Sequence, residues 1–133
     1  EYVSLDVEMA FIESEQDLMD LEQRILKTIF AAIDERNKSE LSAWGASVPT
    51  PESVDALPRL SHDEALQLAS ERLGRRVYEV SPEVERELCL WAESEQGSEG
   101  CFVYGDPRRK RPFYAHPAPN GKTMSFDLLF RGV

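Results

Sequence analysis

The sequence contains only two cysteines, Cys89 and Cys101. Their spacing fits neither a disulfide framework nor a zinc site, so we expect buried thiols in a protein of the reducing cytosol. The sequence also lacks any apolar run near the roughly 20 residues that cross a bilayer, which predicts a soluble, cytoplasmic chain with no membrane partner. The composition, 41% hydrophobic and 30% charged, is typical of a globular protein.

The common short motifs of catalysis are missing as well. The sequence has no Walker A loop, GxSxG elbow, HExxH helix or CxxC pair. His62 belongs to a predicted helix cap and is interpreted as structural, while His116 lies in a predicted turn; neither has a plausible nucleophile partner. The sequence therefore gives no sign of the enzyme classes that carry these motifs. An enzyme that needs no protein nucleophile is still possible.

Positive charge is scarce, because 15 lysines and arginines face 25 acids and the formal net charge is -10. Such a chain repels a polyanion at long range, which argues against nucleic-acid binding. The exception is a basic run at residues 108–111, followed by Phe113 and Tyr114. This segment is either a contact for a nucleotide or RNA or a solvated hairpin turn.

Hydrophobic periodicity predicts a strand and then a long helix at the start of the sequence. Apolar and polar side chains alternate over residues 2–12, which predicts a strand with one polar face. The side chains on that face are Tyr2, Ser4, Asp6 and Glu8. Ser14 begins a helix with an apolar stripe that we expect to face the core. The stripe consists of Leu18, Leu21, Ile25, Leu26, Ile29, Phe30 and Ile33.

Helices are predicted in the middle of the chain and strands after them. Three prolines indicate an extended loop over residues 49–58, and a capping box at residues 61–64 begins a helix that stops at Gly74. Another helix begins at Ser81 and ends near Gly97. The strands are expected at residues 101–104, 112–115 and 124–130, with a turn or flap over 116–122. This order predicts an α+β fold with an antiparallel sheet.

Acidic side chains are the first candidates for a site. Asp6 and Glu8 lie about 7 Å apart on one strand face, where they either bind an ammonium group or divalent metal or simply contact solvent. Asp127 is a lone acid in an apolar strand and needs a cation or metal, since an unpaired buried carboxylate is costly. A structural ion pair with Arg131 is the alternative for Asp127.

Three segments carry a resemblance when taken together: residues 1–11, 111–114 and 125–132. They resemble the aspartyl subgroup of class II aminoacyl-tRNA synthetases. Residues 1–11, EYVSLDVEMAF, are similar to the second half of motif 2 of that family. Residues 111–114, RPFY, and 125–132, SFDLLFRG, look like the segments that lead into its metal and amino-acid site. The short interval between them resembles the archaeal and eukaryotic-like form, including its non-discriminating members.

The resemblance implies part of a class II antiparallel catalytic sheet with a helical insert over about residues 44–98. It implies activation of L-aspartate by ATP to aspartyl-adenylate and transfer to tRNA(Asp), or also to tRNA(Asn), with Mg²⁺ as cofactor. Residues 1–133 would then be an internal part of the catalytic domain, with motifs 1 and 3 and the anticodon-binding domain outside it. A homodimer is implied for the whole enzyme.

The resemblance also assigns roles to individual residues. Tyr2 matches the aromatic residue that stacks on adenine, and Asp6 matches the carboxylate that binds the α-ammonium group. Asp127 matches an acid that binds the Mg²⁺ bridging the ATP phosphates. Two residues that share the face of Asp6 are expected to support it, and a basic residue before the PFY segment is expected near the substrate. These are Ser4, Glu8 and Arg111.

Adenylation requires no nucleophile or general base from the protein, because the substrate carboxylate itself attacks the α-phosphate. Two other functions stay open. The first is an asparaginyl-tRNA synthetase, or a paralogue that forms an aminoacyl-adenylate for amide synthesis. The second is a non-catalytic binding module in which Asp6, Glu8 and Asp127 are structural acids.

Overall fold

The computed structural model describes residues 3–132, so Tyr2 lies outside the described part. Five α-helices and a three-stranded sheet confirm the predicted α+β class. The helices are α1 (Glu15–Arg36), α2 (Lys38–Trp44), α3 (Pro51–Asp55), α4 (His62–Leu73) and α5 (Pro82–Trp91). The strands are β1 (Arg59–Ser61), β2 (Gly100–Tyr104) and β3 (Phe126–Phe130).

The predicted helix starts are confirmed by their caps. In α1 the side chain of Ser14 accepts from the backbone of Gln16 at 3.2 Å, and Asp17 accepts from the backbone of Ser14 at 3.0 Å. In α4 the reciprocal pair is Ser61 and Glu64, at 2.8 and 3.3 Å. These bonds satisfy backbone N–H groups that a helix start otherwise leaves without partners.

The sheet has the order β1-β2-β3. β2 and β3 are antiparallel, with Val103 opposite Asp127, whereas β1 and β2 are parallel, with Leu60 opposite Val103. The parallel pair departs from the antiparallel expectation. β1 has only three residues and follows Pro58, so it is too short to show the period of two that predicts a strand.

The alternation of β2 separates two clusters of apolar side chains. Cys101 and Val103 face α4 and α5, while Phe102 faces α1 and α3. The buried members of the α4–α5 cluster are Ala65, Ala69, Val77, Val84, Leu88, Cys89, Cys101, Val103 and Leu129. The buried members of the α1 cluster are Met19, Val54, Leu57 and Phe102.

The two cysteines are free and buried, as predicted. Burial raises the pKa of Cys101 to about 12, and the neighbouring Cys89 contributes to that shift. Burial also raises the pKa of Cys89. Both thiols are therefore protonated near neutral pH and unreactive, because the thiolate is the nucleophilic form.

Residues 3–12 do not form a strand, so that prediction is wrong for this structure. An extended segment joins a sheet only when a neighbouring strand pairs with its backbone. Both strand pairings of the described chain are made by β1, β2 and β3 alone. Phe11 also has a positive φ of 59°, which interrupts the alternation. Val3 and Phe11 are fully exposed as a result.

Two further predictions fail between the main elements. The predicted strand at residues 112–115 is a single turn, in which the backbone N–H of Ala115 donates to the carbonyl of Pro112 at 3.0 Å. No strand of the described chain pairs with it. Residues 51–55 form α3, inside the stretch of residues 49–58 where an extended loop was expected. Pro51 is tolerated because it occupies the first turn of α3, where its missing N–H is not needed.

The apolar stripe of α1 is divided between a core and an open groove. Leu26 and Phe30 pack against the buried Met19, which the sequence analysis did not single out. The other side of the stripe, with residues 5 and 7 of the N-terminal segment and Phe126, encloses a groove of about 410 Å³. Within residues 3–132, no helix combines the length and apolarity that a membrane span requires.

Candidate active site

Arg111 and Asp127 come together at the surface of β3. Asp127 is half-exposed on the strand, and its Oδ2 accepts a hydrogen bond from Nη2 of Arg111. Arg111 also donates to Oδ2 of Asp106, from Nε at 3.1 Å and from Nη2 at 2.5 Å. One guanidinium group therefore joins two carboxylates, one exposed and one buried.

Arg111 stays protonated in this arrangement. Burial works to lower the pKa of Arg111, but its hydrogen bonds to Asp127 and Asp106 outweigh burial and raise that pKa above its usual value. An arginine side chain is protonated at any physiological pH in any case. The site therefore presents a permanent positive charge between two negative ones.

The alternative pairing of Asp127 with Arg131 is wrong. Arg131 instead forms an ion pair with Glu99 and donates to the backbone carbonyl of Ser47 at 2.9 Å. β3 ends at Phe130, and Arg131 has a positive φ of 53°, so the strand alternation does not extend to it. Its side chain therefore leaves the face on which Asp127 lies.

The three described polar residues of the N-terminal segment are exposed and outside any strand. Ser4 donates to Asp6 at 3.4 Å, and no described residue forms an ion pair with Asp6 or Glu8. The segment nevertheless approaches β3, because Leu5 and Val7 line the same groove as Phe126. The structure thus joins Arg111 with Asp127 but does not join them to Ser4, Asp6 or Glu8.

Glu22 is a site residue that the sequence analysis missed. It lines the groove between α1 and the N-terminal segment. Burial, and after it the negative charge of Asp127, raise the pKa of Glu22. A signal was available, because Glu22 lies four residues after Leu18 and three before Ile25, and therefore on the apolar stripe of α1.

His62 and Asp106 were also missed as neighbours of this site. With Arg111 and Asp127 they line a pocket of about 220 Å³. His62 is 3% exposed, and its Nε2 lies 3.8 Å from Oδ1 of Asp106. Neither ring nitrogen has a hydrogen-bond partner in the described chain. Burial lowers the pKa of His62 against the opposing charge of Asp106. No sequence signal connects these two residues.

The described residues could bind Mg²⁺ through one carboxylate together with substrate phosphates and water, but not through protein ligands alone. They contain no group of three histidine, cysteine or acidic side chains that could hold a metal ion by themselves. Asp127 is half-exposed, and its Oδ1 accepts no hydrogen bond from residues 3–132. Mg²⁺ often binds one or two carboxylates and completes its shell with substrate phosphates and water. Asp127 suits that role.

The four residues of the basic run do not behave alike. Arg108 and Arg109 are exposed in a short 3₁₀ turn, Lys110 lies 3.3 Å from Glu79, and only Arg111 turns towards the carboxylates. The next aromatic pair, residues 113 and 114, is exposed, with its rings edge to face. Contact of this loop with a nucleotide or RNA stays a prediction.

A family model described as tRNA synthetases class II (D, K and N) matches residues 1–133. The chain belongs to this family. The match extends over the whole sequence and so includes the N-terminal segment, the helices between the strands, and the Arg111–Asp127 pair. The resemblance deduced from three short segments is confirmed.

This class II synthetase chain is similar to two bacterial proteins named Aspartate–tRNA(Asp/Asn) ligase. It is 44% identical to the protein of Thermus thermophilus over 135 aligned positions, covering 100% of this chain and 31% of the relative. It is 43% identical to the protein of Deinococcus radiodurans over 143 positions, covering 100% and 32%. The chain therefore spans about a third of the length of these relatives.

Solved structures of synthetases share the fold of this class II chain. An aspartyl-tRNA synthetase from Entamoeba histolytica superposes with a TM-score of 0.79 at 21% identity, covering 93% of this chain and 27% of that one. An asparaginyl-tRNA synthetase from Pyrococcus horikoshii gives a TM-score of 0.70 at 24% identity, covering 91% and 29%. At this identity the likeness concerns the fold alone.

Proposed function

We propose that this chain is part of the catalytic domain of an aspartate–tRNA ligase. The enzyme activates L-aspartate with ATP to aspartyl-adenylate and transfers the aspartyl group to tRNA(Asp) in protein biosynthesis. The observation that supports this most is the 43–44% identity, over the whole chain, to two ligases named for aspartate. The ion pair of Arg111 with Asp127 is a second support, because it brings together two residues that the family resemblance assigns to the substrate and metal site.

In the proposed enzyme, the N-terminal segment binds aspartate and adenine. Asp6 binds the α-ammonium group of the substrate, and Ser4 and Glu8 support Asp6. Tyr2 stacks on the adenine ring. Support for a role at the substrate comes from the exposure of Ser4, Asp6 and Glu8, which leaves their polar atoms accessible to a ligand.

Arg111 and Asp127 form the phosphate side of the proposed site. Asp127 would hold Mg²⁺, which when bound would neutralise charge on the ATP phosphates. Arg111 supplies a fixed positive charge close to the reacting groups, where such charges stabilise a transition state most. The substrate carboxylate attacks the α-phosphate, so no side chain acts as nucleophile or general base.

The remaining proposals concern the whole enzyme. We infer a cytoplasmic homodimer in which residues 1–133 are an internal part of the catalytic domain. The helical insert covers about residues 44–98, and motifs 1 and 3 and the anticodon-binding domain lie outside this chain. The two relatives are about three times as long as this chain, which supports its being one part of a longer enzyme.

ATP–pyrophosphate exchange tests the reaction. A full-length protein carrying this chain should exchange pyrophosphate into ATP when aspartate and Mg²⁺ are present, without tRNA. Asparagine in place of aspartate is the control and should give no exchange. Exchange that depends on asparagine, or no amino-acid-dependent exchange at all, would exclude the proposed ligase.

Substitution of Asp6 tests the substrate side. Asp6→Ala should raise the KM for aspartate at least about tenfold, because a charge-assisted hydrogen bond to the ammonium group is lost. Glu35→Ala is the matched control, since Glu35 is an exposed acid at the far end of α1. An unchanged KM in Asp6→Ala would favour the non-catalytic binding module instead.

The choice of tRNA is a separate measurement. Charging of purified tRNA(Asp) and tRNA(Asn) with labelled aspartate distinguishes a strict enzyme from one that accepts both. We expect both tRNAs to be charged, because two relatives that are more than 40% identical to this chain are named for both. Charging of tRNA(Asp) alone would make the enzyme discriminating and leave the ligase proposal intact.

A further inference from the structure

Asp106 is held rigidly between two segments of the fold. It follows the end of β2 and is 8% exposed. Its backbone carbonyl accepts from the backbone N–H of Thr123 at 3.0 Å and from the hydroxyl of the same residue at 3.1 Å. Thr123 is itself 1% exposed. The position of Asp106 is therefore fixed by the segment that leads into β3.

The side chain of Asp106 restrains the Arg111 guanidinium more firmly than Asp127 does. Asp106 accepts two hydrogen bonds from Arg111, at 3.1 and 2.5 Å, whereas Asp127 accepts one. The Asp106 carboxylate is 11% exposed and the Asp127 carboxylate 53% exposed. An ion pair weakens as its exposure to water increases. Asp106 is thus the fixed end of this three-residue array.

The Asp106–Arg111 pair does not connect separate helices or strands of the fold. Its two residues are five positions apart in one loop. In contrast, Arg72 of α4 pairs with Glu87 of α5, and so connects two helices. A pair within one loop mainly sets the conformation of that loop. Beyond the loop, the Asp106–Arg111 pair determines the direction from which the Arg111 guanidinium approaches Asp127.

Arg111 has room to move if Asp106 releases it. The pocket of about 220 Å³ beside it is also lined by His62, Lys110 and Asp127. The buried ring of His62 lies against the other oxygen of Asp106, with Nε2 3.8 Å from Oδ1, and closes that side. The cavity supplies space for a second orientation of Arg111, so its observed direction depends on Asp106.

We propose that Asp106 is a positioning residue that holds the Arg111 guanidinium in place, so that Asp127 keeps one carboxylate oxygen free for a cation. This inference rests on the proposed function, because it concerns the Arg111–Asp127 pair of that site. Without Asp106, Arg111 pairs with Asp127 alone and competes with Mg²⁺ for its carboxylate. Asp106 itself contacts neither substrate nor metal.

The first test needs no activity. In the ¹⁵N-labelled full-length protein, the Nε–H of Arg111, assigned by its loss in Arg111→Gln, should exchange slowly with solvent. Asp106→Asn should accelerate that exchange about tenfold, the loss expected for a charge-assisted hydrogen bond. Asp63→Asn is the matched control, since it removes an exposed acid that pairs with Lys122 instead. Equal exchange in Asp106→Asn and the unaltered chain overturns the proposal.

The second test uses the full-length enzyme. Asp106→Asn should raise the Mg²⁺ concentration for half-maximal pyrophosphate exchange about fivefold. In an Arg111→Gln background the same substitution should change nothing further, because Asp106 acts through Arg111. An unchanged Mg²⁺ requirement, or the same shift in both backgrounds, overturns the inference. If the unaltered enzyme gives no aspartate-dependent pyrophosphate exchange, the proposed function is refuted instead. The hydrogen exchange of the Arg111 Nε–H still decides the role of Asp106.

Discussion

The two sides of the sheet differ in how completely they bury their apolar side chains. On the α4–α5 side Leu88 and Cys101 are 0% exposed and Val84 is 1% exposed. On the α1 side Leu5 is 69% exposed and Ile29 is 37% exposed. The first side is a closed core, while the second combines a small core with an open groove. The groove side is also where Glu22 and the proposed substrate segment meet.

Because burial of apolar area supplies most of the folding free energy, this difference predicts where the chain is stable. The α4–α5 side should determine the free energy of unfolding, and the α1 side should tolerate change. Substitutions at matched positions on the two sides test whether their contributions to stability differ.

The largest effect is expected at Gly100, in the strand that the two sides share. A Cβ at this position would overlap the backbone carbonyl oxygen of Leu129 and lie 3.2 Å from Cα of Phe130. We expect Gly100→Ala to lower the free energy of unfolding by about 4 kcal/mol, because the clash is with backbone and cannot relax by rotation. Urea denaturation monitored by circular dichroism gives the value.

Gly97→Ala is the control for this effect. Gly97 has a φ of 69° and open space around its Cα, so its substitution introduces backbone strain alone. The expected loss is about 1 kcal/mol. Equal losses for the two glycines would mean that β2 and β3 approach each other less closely than described.

Leu88→Ala should have the next largest effect. Leu88 is fully buried in the α4–α5 cluster, and removal of such a side chain leaves a cavity that costs about 3 kcal/mol. Leu90→Ala on the same helix is the control, because Leu90 is 54% exposed, and it should cost less than about 1 kcal/mol. A small loss at Leu88 would show that this core is not closed.

Ile25→Ala measures the α1 side. Ile25 is half-buried at the groove, so we expect a loss of about 1 kcal/mol in the same urea experiment. Arg24→Ala, an exposed position on α1, should change the free energy of unfolding by less than about 0.5 kcal/mol. If Ile25→Ala matched Leu88→Ala, the contrast between the two sides would disappear.

The smallest effect concerns pH and His62. Burial lowers the pKa of His62 below its unfolded value, so the unfolded state binds the proton more readily. Stability is therefore complete above the unfolded pKa, near 6.5, and falls as the pH falls below it. Groups of both signs face the ring, and these are Asp63, Asp106, Lys110 and Lys122.

Thermal unfolding between pH 7.5 and 5.5 checks this sign. His62→Gln removes the titration and should flatten the decrease in Tm that the unaltered chain shows as the pH falls. Glu22 acts in the opposite direction, because its raised pKa favours the protonated form in the fold, but that contribution is common to both proteins. Identical pH profiles would mean that His62 is not shielded from water.

The sequence predicts the helices of this fold better than its sheet. The caps at Ser14 and Ser61 and the stop at Gly74 are local signals, and the structure contains all of them. β1 is missed because three residues cannot show a period, and its parallel partner lies far along the chain. Alternation over residues 3–12 predicted a strand that has no neighbour to pair with among the described residues.

The sequence predicts which residues belong to the candidate site better than it predicts which of them contact one another. Arg111 and Asp127 are both singled out from sequence, but their pairing is a tertiary contact that no spacing reveals. Asp106 and His62 join the site for the same reason. Of the missed residues, Glu22 alone had a local signal, as an acid on an apolar helix stripe.

The parallel pairing of β1 with β2 has a consequence for the order in which the chain assembles. All of α4 and α5 lies between these two strands, so β1 leaves the ribosome long before its partner exists. Closing so long a loop is entropically unfavourable unless the intervening helices form first and shorten it. We therefore expect the two helices to form before β1 pairs with β2, although β1 is the first of the three described strands to be synthesised.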